Sequence, residues 1–139
     1  IGYDHAFGKK RSGNVETLRK MSSEFGFRVN VVEPVSLDGQ VVKSTSIRNA
    51  LRDGDILKAT AFLGRPYQIT GKVSKGRGRG KKSLFPTANL EVSHPHKLIP
   101  KNGVYIAKAI LEGNTYPAIA NIGKRPTFGE NDVTIEVHL

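Results

Sequence analysis

The chain has 139 residues, no cysteine and a formal net charge of +10. The lack of cysteine excludes a disulfide framework and a thiolate metal site, and it is typical of a cytoplasmic protein. No stretch has the pattern of a signal peptide, and no apolar run is long enough to cross a membrane.

The first part of the chain alternates predicted helices and strands, as an α/β unit does. Apolar spacing predicts a helix over residues 14–25, which Asn14 caps and Gly26 ends. A strand is predicted over residues 27–32, and the pair Asp38-Gly39 predicts a tight turn after it.

Two short helices are predicted next. Ser44-Thr45-Ser46 caps the first, over residues 46–53, and Asp55 caps the second, over residues 56–63. The character of the chain changes at Gly64-Arg65-Pro66, where helical spacing gives way to β-rich runs. We therefore predict a domain boundary at this point.

The rest of the chain has the pattern of strands separated by glycine and proline. Glu112-Gly113-Asn114 predicts a hairpin turn between two of them. Several strands without a helix predict a small antiparallel barrel or sandwich. The predicted strands cover residues 67–73, 103–111, 116–122 and 133–139.

Most of the positive charge lies in one segment. Residues 56–90 contain eight basic residues and no acidic ones, whereas residues 91–139 contain five of each. Within the basic segment Gly76, Gly78 and Gly80 alternate with arginine, and Lys82 follows. Glycines let backbone N–H groups approach phosphate oxygens, and basic side chains offset the phosphate charge. A solvated hairpin loop and a nucleic-acid patch are the alternatives.

Pro86-Thr87-Ala88-Asn89 predicts a rigid turn directly after the basic segment. Thr87 and Asn89 point to the same side if the backbone there is extended. Their side-chain oxygens suit a hard cation such as Mg²⁺, so one metal–phosphate group can be held by both. An ordinary turn is the alternative interpretation.

Two further places offer groups for phosphate chemistry. In the last predicted strand Glu136 is a candidate general base for phosphoryl transfer, the alternative being an exposed strand carboxylate; His138 is assigned a structural role. Ser44, Thr45 and Arg48 lie at a helix start, where hydroxyls, a guanidinium and the helix N-terminus all favour an anion. Simple capping is the alternative for that helix start.

These motifs, in this order, resemble the bacterial bifunctional riboflavin kinase/FMN adenylyltransferase (prokaryotic FAD synthetase) family. The resemblance covers essentially the whole chain. The matching stretches are Gly2-Tyr3-Asp4-His5-Ala6-Phe7-Gly8, Lys43-Ser44-Thr45-Ser46-Ile47-Arg48, Leu63-Gly64-Arg65-Pro66-Tyr67, Phe85-Pro86-Thr87-Ala88-Asn89, Gly103-Val104-Tyr105, Asn121-Ile122-Gly123, Arg125-Pro126-Thr127 and Glu136-Val137-His138.

The resemblance implies an α+β chain made of two parts. Residues 1–64 would be the C-terminal part of an α/β nucleotidyltransferase (Rossmann-like) domain. Residues 65–139 would be an antiparallel six-stranded riboflavin kinase β-barrel, incomplete at its C-terminus. The family implies Mg²⁺, ATP, riboflavin and FMN as metal and substrates, in the cytoplasm, without a membrane or nucleic-acid partner. It also allows an oligomer through the full-length protein.

The resemblance also implies roles for single residues. In the kinase part Thr87 and Asn89 would bind Mg²⁺ and the nucleotide phosphates, and Glu136 would be the base acting on the 5′-hydroxyl of riboflavin. The remaining implied residues are Gly76, Gly78, Gly80 and Lys82 at the phosphates, Asn121, Gly123, Arg125 and Thr127 at the flavin, and Asp4, Ser44, Thr45 and Arg48 for adenylyl transfer to FMN.

The chain departs from the family pattern in three ways. The H-x-G-H motif of the adenylyltransferase is absent, so we do not expect this fragment to make FAD by itself. Leu84 replaces a glycine before the P-T-A-N motif, and Lys43 replaces the first serine of S-S-T-x-I-R. The barrel would be incomplete, so the isolated fragment is expected to be unstable or inactive. A basic nucleic-acid-binding β-domain and a non-catalytic flavin-binding regulator are the alternative functions.

Overall fold

The computed structural model describes residues 1–74, 87–124 and 133–139 and shows an α+β fold. The chain forms two compact units, residues 1–43 and residues 44–139, which are described separately. No helix among the described residues is long and apolar enough to cross a membrane.

Helix α1 (Val15–Phe25) is the longest element of the first unit. Its start is fixed as the sequence predicts, since the Asn14 side chain accepts a hydrogen bond from the Thr17 backbone N–H at 3.0 Å. Gly26 ends the helix in the left-handed conformation, with φ of 70°. The helix and both of its caps are therefore confirmed.

A short hairpin closes the first unit. Strands β1 (Ser36–Leu37) and β2 (Gln40–Val41) pair antiparallel. Asp38 and Gly39 have positive φ values of 48° and 74°, as a two-residue hairpin turn requires. The turn predicted from Asp38-Gly39 is confirmed.

The strand predicted over residues 27–32 is wrong. Among the described residues, this segment pairs with another strand-like segment only at Val32, through an isolated parallel bridge to Gly2. A strand needs a neighbouring strand whose backbone accepts and donates hydrogen bonds along its whole length. Apolar alternation in the sequence does not by itself supply such a neighbour.

The second unit begins with two helices, α2 (Ser44–Asp53) and α3 (Ile56–Leu63). Asp55 caps α3, since its carboxylate accepts a hydrogen bond from the Lys58 backbone N–H at 3.0 Å. Gly64 ends α3 with φ of 66°. Helix α2 begins at Ser44 and not at residue 46.

A small core joins these helices to the segments that follow them. Leu51 and Ala59 are 1% and 0% exposed, and Tyr67 and Leu98 pack against them. The Tyr67 hydroxyl donates to the Leu98 carbonyl at 2.7 Å, and the Lys101 N–H donates to the Leu51 carbonyl at 3.0 Å. Burial raises the pKa of the Tyr67 hydroxyl. The second compact unit begins at Ser44, the first residue of α2. The domain boundary that the sequence predicts near residue 65 stays a prediction.

The remaining strands form one antiparallel sheet with the order β3-β4-β7-β6-β5. Three of these strands match the predicted runs closely, whereas the first is shorter than the predicted run over residues 67–73. The strands are β3 (Gly71–Ser74), β4 (Thr87–Val92), β5 (Gly103–Leu111), β6 (Asn114–Lys124) and β7 (Val133–His138).

The strands alternate between an apolar and a more polar face. Ala118, Ile122 and Ile135 lie on the apolar face and are 7%, 4% and 4% exposed. Thr87 and Asn89 lie in β4 on the opposite face, in extended backbone and not in the rigid turn predicted there. The alternation of β4 therefore places these two side chains on one side of the sheet.

Candidate functional site

The pairing of three strands brings the principal candidate residues into one row. Asn89 of β4 is the direct partner of Glu136 in β7. On the other side of Glu136, its direct partner is Asn121 of β6. Direct cross-strand neighbours have their Cβ atoms about 4.5–5.5 Å apart and point to the same face. A carboxylate is thus flanked by two carboxamides on the polar face.

Two further pairs flank this row, one on each side. Thr87 is the direct partner of His138 on one side, and Gly123 is the direct partner of Thr134 on the other. The Thr134 hydroxyl donates to the Gly123 carbonyl at 3.4 Å. A Cβ atom placed on Gly123 would meet no atom of the described residues within 4 Å. Within the described part of the chain, the polar face therefore has free space at Gly123, two residues after Asn121.

The side chains near the centre of the face suit a cation that reaches the protein already bound to phosphates. The described residues contain no group of three or more His, Asp or Glu side chains with metal-ligand geometry. Thr87 and Asn89 offer only neutral oxygens. Mg²⁺ commonly takes few protein ligands and keeps water and substrate phosphates. This donor set fits that mode of binding and does not fit a closed all-protein cage.

The residues predicted for adenylyl transfer fall in different units. Asp4 lies in the first unit, where its carboxylate forms a salt bridge with Lys43 at 3.2 Å. Hydrogen bonds to Tyr3 and Asp4 raise the pKa of Lys43. Lys43 is the residue that replaces the first serine of the family motif, and in this structure its partner is the Asp4 carboxylate.

The helix start in the second unit carries the other predicted adenylyl-transfer residues. Ser44 and Thr45 occupy the first turn of α2, and Arg48 follows one turn later. All three side chains are exposed. The first-turn N–H groups of a helix and its dipole attract anions. The exposed hydroxyls and the guanidinium are therefore available to solvent-borne phosphate groups.

Several predicted residues cannot be placed. Gly76, Gly78, Gly80, Lys82 and the departure Leu84 lie outside the described residues, as do the flavin candidates Arg125 and Thr127. Their roles stay predictions.

Sequence reasoning missed one polar side chain of this face. Ser74 of β3 is the direct partner of Asn89 and extends the row at the end away from Asn121. Its position follows from the β3–β4 register, which the sequence pattern does not give. The alternation of Lys72, Val73 and Ser74 was the available signal, because it places Lys72 and Ser74 on one face.

Two family models match the chain. One, described as riboflavin kinase, matches residues 63–139. The other, described as FAD synthetase, matches residues 1–46. The two matches leave most of α2 and α3 between them.

Curated relatives match the chain over its whole length. A bifunctional riboflavin kinase/FMN adenylyltransferase from Haemophilus influenzae is 42% identical over 141 residues, which cover 100% of this chain and 45% of that protein. Proteins of the same name from Pseudomonas fluorescens and Escherichia coli are 38% and 35% identical, and the chain spans 44% of each. The chain thus covers less than half the length of these relatives.

A solved structure has a closely similar fold. A crystal structure described as a macrolide-efflux protein from Streptococcus pneumoniae matches with a TM-score of 0.85 and 33% sequence identity. The match covers 99% of this chain and 43% of that one. The similarity therefore extends over both compact units.

Proposed function

The chain belongs to the riboflavin kinase family, and from this premise we propose that the protein that carries it phosphorylates riboflavin to FMN with Mg-ATP. The observation that supports the proposal most directly is the row of Asn89, Glu136 and Asn121 on the polar face of the sheet. Glu136 lies between a residue assigned to the nucleotide and a residue assigned to the flavin. A base that takes a proton from one substrate during attack on the other belongs in that position.

The proposed reaction uses these side chains in order. The Glu136 carboxylate accepts the proton of the 5′-hydroxyl of riboflavin, and that oxygen forms a bond to the γ-phosphorus of ATP. The bond between the γ-phosphorus and the bridging oxygen breaks, and ADP leaves with the electron pair. Catalysis of this type depends chiefly on positioning and on charge neutralisation.

Asn89 forms the nucleotide end of the row, and Thr87 lies beside it, two residues earlier on the same face of β4. Their side-chain oxygens would hold Mg²⁺ together with the phosphates, and the ion would supply neutralisation of the phosphate charge. Gly76, Gly78, Gly80 and Lys82 are assigned to the phosphates on the sequence pattern alone.

The flavin end of the row is formed by β6. Asn121 and Gly123 lie two residues apart on the same face, and no atom of the described residues fills the space beside Gly123. We assign both residues to the flavin, with Arg125 and Thr127 assigned on the sequence pattern. The five strands would belong to the six-stranded barrel that the family resemblance implies.

A second activity, adenylylation of FMN to FAD, is proposed for the full-length protein. The FAD synthetase match over residues 1–46 supports it, as do the names of the curated relatives. Asp4, Ser44, Thr45 and Arg48 are the residues of this chain that we assign to it. Residues 1–64 would then belong to the nucleotidyltransferase-like domain, with the kinase domain beginning near residue 65.

The experiment is turnover of riboflavin and Mg-ATP by the protein that carries this chain, with FMN and FAD separated by chromatography. FMN as a product, lost when EDTA removes the metal, is the expected result. Bound riboflavin without either product would replace the proposal with a non-catalytic flavin-binding role. Absence of both binding and product would overturn it. Nucleic-acid binding receives no support from the family matches.

A further inference from the structure

Strand β3 brings a hydroxyl to the nucleotide end of the candidate site. Ser74 is the direct cross-strand partner of Asn89, and Asn89 is the direct partner of Glu136. The three side chains therefore point to one face in a single row across β3, β4 and β7. Ser74 is on the side of Asn89 that faces away from Glu136 and the flavin residues.

The Ser74 hydroxyl is available to a ligand. The side chain is half-buried, and it has no hydrogen-bond partner within the part of the chain that the structure describes. A hydroxyl carries one donor and two acceptor sites. A hydroxyl donor beside Asn89 suits a phosphate oxygen, because hydrogen bonds to charged groups are stronger than neutral ones.

The same strand also supplies positive charge to this face. Lys72 lies two residues before Ser74, so both point to the same side. Its direct cross-strand partner is Glu91, but in the described part of the chain no salt bridge joins these two side chains. The salt bridge found there joins Lys43 and Asp4. The Lys72 ammonium is therefore not committed to Glu91 and contributes a favourable potential for a polyphosphate.

We propose that Ser74 is a nucleotide-binding residue whose hydroxyl donates to a phosphate oxygen of ATP beside Asn89. This inference rests on the proposed kinase function. It extends the nucleotide site by one strand, from β4 to β3, and it gives the row a direction: phosphate chain at Ser74 and Asn89, base at Glu136, flavin at Asn121. No covalent step involves Ser74.

The test compares Ser74→Ala with Ser74→Thr in the protein that carries this chain. Loss of one hydrogen bond to a charged group should raise the KM for Mg-ATP by about tenfold in the alanine variant. The threonine variant keeps a hydroxyl and suits a strand, so it should restore most of the affinity. The KM for riboflavin should stay unchanged, because Ser74 lies at the opposite end of the row.

A binding measurement separates nucleotide contact from a structural role. Calorimetric titration with Mg-ADP should show weaker binding to Ser74→Ala, while urea denaturation shows the same free energy of unfolding as the parent protein. Ser93→Ala, an exposed serine just after β4, is the matched control and should change neither quantity.

Two outcomes would overturn the inference, and they differ from failure of the kinase proposal. If the parent protein makes FMN and Ser74→Ala leaves the KM for Mg-ATP and Mg-ADP affinity unchanged, Ser74 does not bind the nucleotide. An equal loss in Ser74→Thr would show that the hydroxyl is not responsible. If the parent protein makes no FMN, the proposed function fails, and Mg-ADP binding still reports on Ser74.

Discussion

The two faces of the five-stranded sheet are built from the same strands but differ in role: one is apolar and buries side chains, and the other carries the candidate site residues. On β7, Ile135 points to the apolar face and is 4% exposed, whereas the next residue, Glu136, points to the polar face between Asn89 and Asn121. Successive residues of a strand face opposite ways. Substitutions one position apart should therefore separate stability from chemistry.

The polar face is not uniformly polar, and this provides controls. Ile106 and Val104 of β5 are 98% and 72% exposed, and Val104 is the direct partner of Asn121. Exposed apolar side chains on the same sheet allow the same substitution to be made in a buried and in an exposed setting. The effect of burial on stability can then be measured with the same substitution on each face.

The largest effect is expected on the polar face at the base. Glu136→Gln keeps the size of the side chain but removes its capacity to accept a proton at neutral pH. We expect kcat for FMN formation to fall by about 10²–10⁴-fold, the usual contribution of general base catalysis. Calorimetry should show that nucleotide binding survives, and urea denaturation should show little change in stability.

Glu91→Gln is the matched control for that variant. Glu91 is exposed and lies on the same face of β4 as Asn89, but it faces Lys72 and not the row. Its turnover should equal that of the parent protein. Retention of more than a tenth of the parent kcat by Glu136→Gln would remove Glu136 from the role of base.

The next effect is expected on the apolar face. Ile135→Ala removes a buried side chain from the centre of the sheet, which should lower the free energy of unfolding by about 2–5 kcal/mol. Ile106→Ala deletes the same atoms where they are 98% exposed, so its cost should stay below about 1 kcal/mol. Urea denaturation of both variants measures the difference. Equal losses would show that the two faces do not differ in burial.

The sequence was sufficient for features that depend on neighbouring residues. Asn14 and Asp55 cap their helices, and Asp38-Gly39 forms the hairpin turn, because each needs only local hydrogen bonds or a positive φ. The strand over residues 103–111 was predicted with its observed bounds. Local rules therefore account for most of the element types.

What the sequence could not give depends on pairing between distant strands. Alternation places Glu136 on a face, but it does not say that Asn89 and Asn121 are its partners, because register is set by tertiary contacts. Ser74 was missed for the same reason. The strand predicted over residues 27–32 was wrong for a related reason. The segment has a strand-like pattern, but among the described residues it forms only an isolated bridge at Val32.

The smallest effect tests the contact between β3 and β4, on which the position of Ser74 depends. A Cβ atom added to Gly71 would clash with the Glu91 carbonyl oxygen, whereas one added to Gly123 would meet no atom of the described residues within 4 Å. Gly71→Ala must therefore push β3 away from β4, at a cost of about 1–3 kcal/mol. Gly123→Ala should leave stability nearly unchanged in the same urea titration.

Because displacement of β3 also moves Ser74, Gly71→Ala should raise the KM for Mg-ATP and not the KM for riboflavin. A stable Gly71→Ala variant with parent kinetics would show that β3 tolerates a side chain there and that its register against β4 differs from the one described.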